Sequence, residues 1–178
     1  LTNIVWAPLK DGLESVSLSA NWMWPCKNPG EDARLYKAVE ACSDFACELG
    51  INIPTGKDSL SMTQKYGDKK VVAPGTVIIS AGAEVKDIRK TVSPVVQAKD
   101  SAIYYVDFSA DEMKLGGSAL AQLLNKVGNE VPTVKSSEYF AKAFAAIQKL
   151  VSKKQLLAMH DISAGGMITA LLEMVFAN

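Results

Sequence analysis

The residues best suited to chemistry lie near the carboxyl end of the sequence, between positions 157 and 167. A short apolar run there reaches Asp161, and Ser163, Gly165 and Gly166 lead into an amphipathic stretch. The pattern predicts a strand, a tight turn and a helix start. A helix N-terminus offers unpaired N–H groups and partial positive charge, and glycines let a phosphate approach that backbone closely. Because a carboxylate such as Asp161 suits a hard cation, the segment predicts a magnesium-nucleotide site.

The same residues also suit a simpler structural role, and the sequence leaves both alternatives open. Gly165 and Gly166 would shape an ordinary strand-to-helix turn, while Asp161 and Ser163 are residue types that cap helices. His160, the one histidine of the sequence, is predicted to be packed or hydrogen-bonded rather than catalytic. A metal site built from several histidines of this sequence is therefore excluded.

Lys57 is a further candidate for contact with a phosphate. The Pro/Gly pattern around it predicts a short strand, a turn and a second strand over residues 51–62. In that turn Lys57 either forms a solvated pair with Asp58 or faces a phosphate, and the sequence keeps both alternatives.

Composition favours a globular protein without a polyanion-binding surface. The 178 residues are 48% hydrophobic, and 19 basic residues balance 19 acidic ones, so no nucleic-acid partner is expected. No apolar run reaches the roughly 18 residues of a membrane helix, and residues 1–6 lack the basic start of a secretion signal. We expect a cytoplasmic protein with no membrane partner. Its cysteines lack disulfide or zinc spacing and are expected to be buried thiols.

The first half of the sequence predicts strands around one long helix. Residues 14–22 alternate between apolar and polar types, which is typical of a half-buried strand. Asn28 and Glu31 resemble a capping box for a helix that ends near Gly50. Gly67-Asp68 marks a hairpin tip, and 71–85 returns as one or two strands. The helix positions expected to face inward are Leu35, Val39, Cys42, Ala46 and Leu49.

The second half begins after an aperiodic stretch that contains Pro94. Residues 86–100 are therefore predicted to be a linker between two domains. Beyond it the pattern predicts strands over 102–108 and 156–159, and helices over 117–127, 138–153 and 167–177. The apolar stripe of the last helix consists of Ile168, Leu171, Leu172 and Val175.

Five segments in a single order closely resemble the phosphoribosylformylglycinamidine synthase family of purine biosynthesis, in its large single-chain form. The resemblance covers essentially the whole sequence, and an order of several segments is more specific than any one motif. The segments are Leu18-Ser19-Ala20-Asn21-Trp22-Met23, Pro29-Gly30-Glu31-Asp32-Ala33, Pro54 to Met62, Leu115 to Gln122 and His160 to Gly166.

The resemblance implies a mixed α+β fold of the AIR synthetase-like type. In that family two related synthetase halves each contain an αβ N-terminal domain, which helps form a shared barrel, and an α+β C-terminal domain. The sequence resembles an internal part of the second half. Residues 1–85 would belong to the N-terminal domain, 86–100 to the linker and 101–178 to the beginning of the C-terminal domain. A glutaminase domain would lie farther along.

The resemblance also implies an activity and a set of partners. Family members convert formylglycinamide ribonucleotide to its amidine with ATP and glutamine-derived ammonia. The expected partners are this substrate, ATP or ADP, Mg²⁺, the other synthetase half and the glutaminase domain. Another member of the superfamily, such as aminoimidazole ribonucleotide synthetase or selenophosphate synthetase, is disfavoured by the segments Ser19 to Met23 and Gly56 to Ser59.

Residue by residue, the resemblance matches Asn3 and Asp161 to Mg²⁺ ligands and Ser163 to a nucleotide-binding serine. A glutamate and an aspartate ligand are expected before Asn3, so the site within this sequence is expected to be incomplete. The nucleotide of this half is implied to be a retained ADP that supports the fold. Without the other half of the barrel, apolar strand faces around 16–20 and 77–79 would be exposed, and the isolated chain is expected to self-associate.

Overall fold

The computed structural model describes residues 1–97 and 100–176, which form two compact units, and its described strands all lie in one of them. One unit is Leu13–Glu84, and the other combines Leu1–Gly12 with Val85–Asn178. The first twelve residues thus pack with the later part of the chain. The expected mixed αβ fold class is confirmed.

The Leu13–Glu84 unit contains a three-stranded sheet and a hairpin. Strand β1 lies in the centre, with β2 parallel on one side and β5 antiparallel on the other. Helix α1 connects the two parallel strands, which is the usual crossover for such a pair. The elements are β1 (Val16–Met23), α1 (Glu31–Glu48), β2 (Asn52–Ser59), β3 (Thr63–Tyr66), β4 (Lys69–Val72) and β5 (Thr76–Ala83).

Strand β1 follows the alternation predicted for it. Val16, Leu18 and Ala20 are buried, while the serines between them are only partly covered. The expectation that this face would be exposed in the isolated chain is therefore wrong. The exposure expected for residues 77–79 on β5 is observed, because Val77, Ile78 and Ile79 retain 39%, 52% and 40% of their accessible surface.

Helix α1 begins later than the predicted capping box. Its N-cap is Gly30, in a left-handed conformation and without a side-chain cap. The side chain of Asn28 instead binds the Pro25 carbonyl and accepts a hydrogen bond from Lys70 over 2.6 Å. Asn28 is therefore used to tie neighbouring segments together rather than to cap the helix.

The predicted inward face of α1 is only partly correct. Leu49 and Ala46 are buried, but Val39 is 41% exposed. The thiols also differ from expectation, since Cys47 is exposed while Cys26 and Cys42 are half-buried. Burial raises the pKa of the Cys42 thiol.

Strand β2 runs through residues that were predicted to form a turn. Its pairing with β1 shifts register between Ser17 and Ser19, and Pro54 is one of the two β2 residues at this irregularity, where a missing N–H is tolerated. Gly56 lies so close to β1 that a Cβ there would meet the Ala20 carbonyl oxygen at 2.0 Å. The glycine thus permits close strand approach instead of forming a turn.

The tight turn of the β3–β4 hairpin was predicted correctly. The two strands join through Gly67 and Asp68, and Gly67 has a φ of 57°. The predicted return over 71–85 consists of two strands, β4 and β5.

Among its described residues, the other unit contains three α-helices: α2 (Ala119–Leu123), α3 (Ser137–Ser152) and α4 (Gly166–Phe176). The helix predicted over 138–153 is confirmed as α3, which begins at a Ser136 N-cap. The helix predicted over 117–127 is shorter, because Leu124 ends it and Asn125 has a φ of 53°. The last predicted residue of α4 lies outside the described residues.

Two predicted strands in this unit are wrong. Residues 102–108 and 156–159 form no strand and have no strand pairing among the described residues. A single extended segment is not stabilised as a strand unless a neighbour supplies its backbone hydrogen bonds. In the apolar stripe of α4, Ile168, Leu172 and Val175 are exposed, whereas Ala170 of the same helix is buried.

None of the helices in the part of the chain that the structure describes is long and apolar enough to span a membrane.

Candidate functional site

The candidate site lies where three chain segments meet in the unit that contains both Leu1–Gly12 and Val85–Asn178. The Val92 N–H donates to the Trp6 carbonyl over 3.0 Å, and the Met159 N–H donates to the Ser93 carbonyl over 3.1 Å. Residues 92–93, predicted to lie in a linker, thus hold the first residues of the chain beside the segment that leads to Asp161.

Helix α3 fixes the first residues of the chain through one buried side chain. Gln148 donates through Nε2 to the carbonyls of Val5 and Ala7 over 2.6 and 2.9 Å, and its Oε1 accepts from the Leu9 N–H over 2.9 Å. The backbone groups of an irregular segment have no partners in a helix or sheet. A buried amide side chain can supply those hydrogen bonds when both its oxygen and its nitrogen are bonded. Gln148 therefore connects α3 to the segment that contains Asn3.

Asn3 is connected to His160 through Trp6. The indole Nε1 of Trp6 donates a hydrogen bond to the Asn3 carbonyl, and the Trp6 ring lies 5.9 Å from the His160 ring, at an angle of 56°. This is a tilted aromatic contact of favourable separation. Residue 3 itself is exposed.

Both ring nitrogens of His160 face oxygen atoms. The Asp161 carbonyl accepts a hydrogen bond from Nδ1 over 2.7 Å, and Nε2 lies 3.3 Å from Oε2 of Glu173 on α4. The Asp161 carboxylate lies 3.7 Å from Nδ1. The prediction of a hydrogen-bonded His160 agrees with this geometry, although its partner Glu173 was not identified from the sequence.

The Asp161 side chain is only 19% exposed and lies near the start of the chain. Burial lowers the pKa of the Leu1 amino group, and the negative charge of Asp161 opposes that shift. Asn3 and Asp161 are connected by the contacts of Trp6 with the Asn3 carbonyl and with the His160 ring, and their sharing of a ligand stays a prediction.

The donor chemistry of this neighbourhood fits Mg²⁺, but the ligand set is small. Asn3 offers an amide oxygen and Asp161 a carboxylate, both of which are hard oxygen ligands. Within residues 1–97 and 100–176, no three His, Cys, Asp or Glu side chains form a metal-binding group. A complete shell would need phosphate, water or further side chains.

The turn after Asp161 has internal reasons for its two glycines. A Cβ on Gly165 would lie 2.7 Å from the Thr169 side chain, and Gly166 has a φ of 77°, which other residues rarely adopt. Ser163 is exposed, and its carbonyl accepts from the Gly166 N–H over 2.9 Å. The simpler alternative, a turn shaped by glycine, accounts for this geometry whether or not a phosphate binds there.

Lys57 lies in the other compact unit, on β2 opposite Asn21. Both Lys57 and Asp58 are exposed. Successive side chains of a strand point to opposite faces. The solvated Lys57–Asp58 pair considered for a turn is therefore not what this backbone favours.

Two residues of the site, Gln148 and Glu173, were not identified from the sequence. Gln148 is a polar position on an otherwise apolar helix face, and Glu173 is a lone acid on an apolar helix. A buried polar residue on an apolar stripe is a useful signal, because such a side chain needs a partner. Its partners lie 139 to 143 residues away.

Comparison with known proteins matches both parts of the chain to protein families. Residues 1–84 match the model described as the FGAR-AT PurM N-like domain, and residues 101–178 match the AIR synthase related protein C-terminal domain. The chain is 40% identical over 190 residues to a probable phosphoribosylformylglycinamidine synthase of Caenorhabditis elegans, with 100% of the chain and 14% of the relative covered.

A second relative gives a similar match. Over 180 residues the chain is 41% identical to a probable phosphoribosylformylglycinamidine synthase, chloroplastic/mitochondrial, of Arabidopsis thaliana. The match covers 100% of the chain and 13% of that protein. The chain thus spans about one seventh of the length of these relatives.

Proposed function

Because the chain belongs to the phosphoribosylformylglycinamidine synthase family, we propose that it is part of an ATP-dependent C–N ligase of purine biosynthesis. The proposed substrates are formylglycinamide ribonucleotide, ATP and ammonia released from glutamine. The observation that carries this proposal is the identity of 40% along the entire chain. Similarity over all of these residues is more specific than a short motif.

In the proposed reaction, the amide oxygen of the substrate takes the γ-phosphoryl group of ATP and ADP leaves. Ammonia then adds to the same carbon, and inorganic phosphate departs with that oxygen to give the amidine. Each intermediate carries charge that a preorganised, dry site must stabilise. The other synthetase half and the glutaminase domain are proposed to lie in the rest of the protein and to supply the substrate site and the ammonia.

For the present chain we propose a role in holding a nucleotide. Asn3 and Asp161 would supply oxygen ligands, while Ser163 and the backbone at Gly165 and Gly166 would contact the nucleotide. Mg²⁺ at such a position would neutralise phosphate charge. The burial of Asp161 and the contact of its neighbour His160 with Trp6 support this role.

We further propose that this nucleotide is a retained ADP that stabilises the protein. The fixed scaffold of Gln148 and residues 92–93 favours a structural role over one that requires a moving site. In the intact protein, Asp161→Asn is then expected to lower thermal stability. Lower turnover with unchanged stability would instead assign the nucleotide to catalysis.

Three finer points remain proposals. The first is contact between Lys57 and a phosphate. The second is a cytoplasmic location, which stays a proposal because one relative is named a chloroplastic/mitochondrial protein. The third is self-association of the isolated chain through β5, where Val77, Ile78 and Ile79 are exposed. Sedimentation velocity at several concentrations tests it, and a strictly monomeric chain would contradict it.

The proposed activity is tested by assaying the intact protein that carries this sequence. With formylglycinamide ribonucleotide and ATP, product should form with either glutamine or ammonium as nitrogen source. The 178-residue chain alone should form none. An intact protein that shows no ATP- and ammonia-dependent product would contradict the proposed activity, and turnover by the isolated chain would contradict the proposed division of labour.

A further inference from the structure

The backbone bonds that assemble the candidate site stop short of its two candidate ligands. They end at the Trp6 carbonyl in one segment and at the Met159 N–H in the other. Asn3 lies three residues before Trp6, and Asp161 lies two residues after Met159. Backbone pairing therefore fixes where the segments meet, but the relative position of Asn3 and Asp161 depends on further contacts.

A continuous path of side-chain contacts supplies them. The Trp6 indole donates to the Asn3 carbonyl, and the Trp6 ring contacts the His160 ring at 5.9 Å. The Asp161 carbonyl accepts a bond from His160 over 2.7 Å, and the opposite ring nitrogen lies 3.3 Å from the Glu173 carboxylate. Every member of the path is thus held by at least one directional contact.

The His160 ring is oriented from three sides. Asp161 and Glu173 contact its two nitrogens, and the Trp6 ring contacts its face or edge. Its side chain is 18% exposed, so little of it faces solvent. Residues that orient metal ligands without binding the metal commonly change metal affinity by about 10- to 100-fold when removed.

We propose that Trp6, His160 and Glu173 are positioning residues that set the distance between Asn3 and Asp161 for binding of one divalent cation. The inference rests on the proposed function, because it requires that Asn3 and Asp161 share a cation. None of the three positioning residues needs to touch the cation. Glu173 acts through His160, and His160 acts through the backbone of Asp161.

The test uses the intact protein, freed of nucleotide, with Mn²⁺ as the probe and ADP present. Electron paramagnetic resonance measures free Mn²⁺ and gives its dissociation constant. His160→Ala and Glu173→Gln are each expected to raise that constant about tenfold. His160→Asn retains a donor for the Asp161 carbonyl and should recover part of the loss. Trp6→Phe retains the ring contact but loses the N–H, so a smaller increase is expected.

Glu138→Gln is the matched control. It makes the same change in charge on α3, where Glu138 pairs with Lys142 over 2.5 Å and its side chain is 76% exposed. Its Mn²⁺ constant should equal that of the wild type. The thermal midpoint without metal is measured for every variant. A positioning role predicts that metal affinity falls while this midpoint stays within a few degrees of that of the wild type.

Two results would overturn the inference in distinguishable ways. If Asp161→Asn weakens Mn²⁺ binding while the His160 and Glu173 variants bind as wild type, the positioning role is wrong and the proposed site stands. If Asp161→Asn binds Mn²⁺ as wild type, the proposed site itself is wrong. A loss of metal-free stability that matches the loss of affinity would also reject positioning, since packing alone would explain it.

Discussion

Leu9 and Gln148 lie 139 residues apart in the chain and are joined by a buried hydrogen bond of 2.9 Å from the Leu9 N–H to Oε1. The same side chain binds the carbonyls of Val5 and Ala7. One amide thus satisfies three backbone groups of a segment that has turns but no regular helix or strand among its described residues. The candidate site depends on this bond, because Asn3 and Trp6 belong to the segment it holds.

Gln148→Leu is expected to destabilise the 178-residue chain by about 2–4 kcal/mol, because it leaves buried backbone groups without hydrogen-bond partners. Urea unfolding followed by circular dichroism measures the change. Gln155→Leu is the control, since residue 155 is exposed and should change stability by less than about 0.5 kcal/mol. Equal stability of the two variants would show that the Gln148 bonds do not hold the segment.

Gly56→Ala is expected to disturb the pairing of β1 and β2. The new Cβ would lie 2.0 Å from the Ala20 carbonyl oxygen, so the strands must separate locally. We expect a loss of about 3 kcal/mol, at the upper end of the cost of overpacking. Gly82→Ala is the matched control on β5, where nothing lies within 4 Å of a Cβ. Equal thermal midpoints for both variants would contradict the close approach of the strands.

The Asp111 carboxylate should make the stability of the fold depend on pH. Hydrogen bonds from Lys114, Lys135 and Thr133 hold the pKa of its carboxyl well below the usual range. The lysine nitrogens lie 2.7 Å from its oxygens. A lowered pKa in the folded state stabilises the fold above the unfolded pKa of about 3.9, and this stabilisation is lost as pH falls further.

Thermal midpoints of wild type and Asp111→Asn at several pH values measure this effect. The wild type is expected to be more stable at pH 7, and the difference should shrink steadily below about pH 4. Asp68→Asn, at the tip of the β3–β4 hairpin, is the control. A difference that stays constant between pH 7 and pH 2 would show that these ion pairs do not contribute.

Local sequence patterns correctly predicted those elements whose structure depends on residues nearby in the sequence. The alternation in β1 and the Gly67-Asp68 turn are both local signals, and both are confirmed. The start of α1 was missed by about two residues because Asn28 is bonded to Lys70, 42 residues away. Turn chemistry around Pro54 was misread because a bulge accommodates the proline within a strand.

Long-range pairing explains the other differences. The apolar run 102–108 has the composition of a strand, but no described strand lies beside it. At the candidate site, the family resemblance predicts Asn3 and Asp161 as ligands, whereas Trp6, Gln148 and Glu173 became visible only through contacts between distant segments. A side chain that acts on residues far along the chain leaves no periodic pattern to detect.

The glycine turn also leads to a prediction that differs from its sequence interpretation. If Gly166 serves only to let a phosphate approach, Gly166→Val should displace the phosphate with little effect on the helix. The φ of 77° at residue 166 makes a β-branched residue strained there, so α4 should begin later as well. Amide hydrogen exchange should show lost protection in the first turn of α4, and unchanged protection would contradict the strained backbone.

The central claim is that Asp161 holds a magnesium-nucleotide, and the nucleotide content of the purified intact protein tests it most directly. Protein purified in the presence of Mg²⁺ is denatured, and the released nucleotide is identified and counted per chain by chromatography. We expect bound ADP in the wild type and in Glu138→Gln, and several-fold less in Asp161→Asn, because one negative charge facing the cation is removed. Equal nucleotide content in wild type and Asp161→Asn at the same Mg²⁺ concentration would contradict the claim.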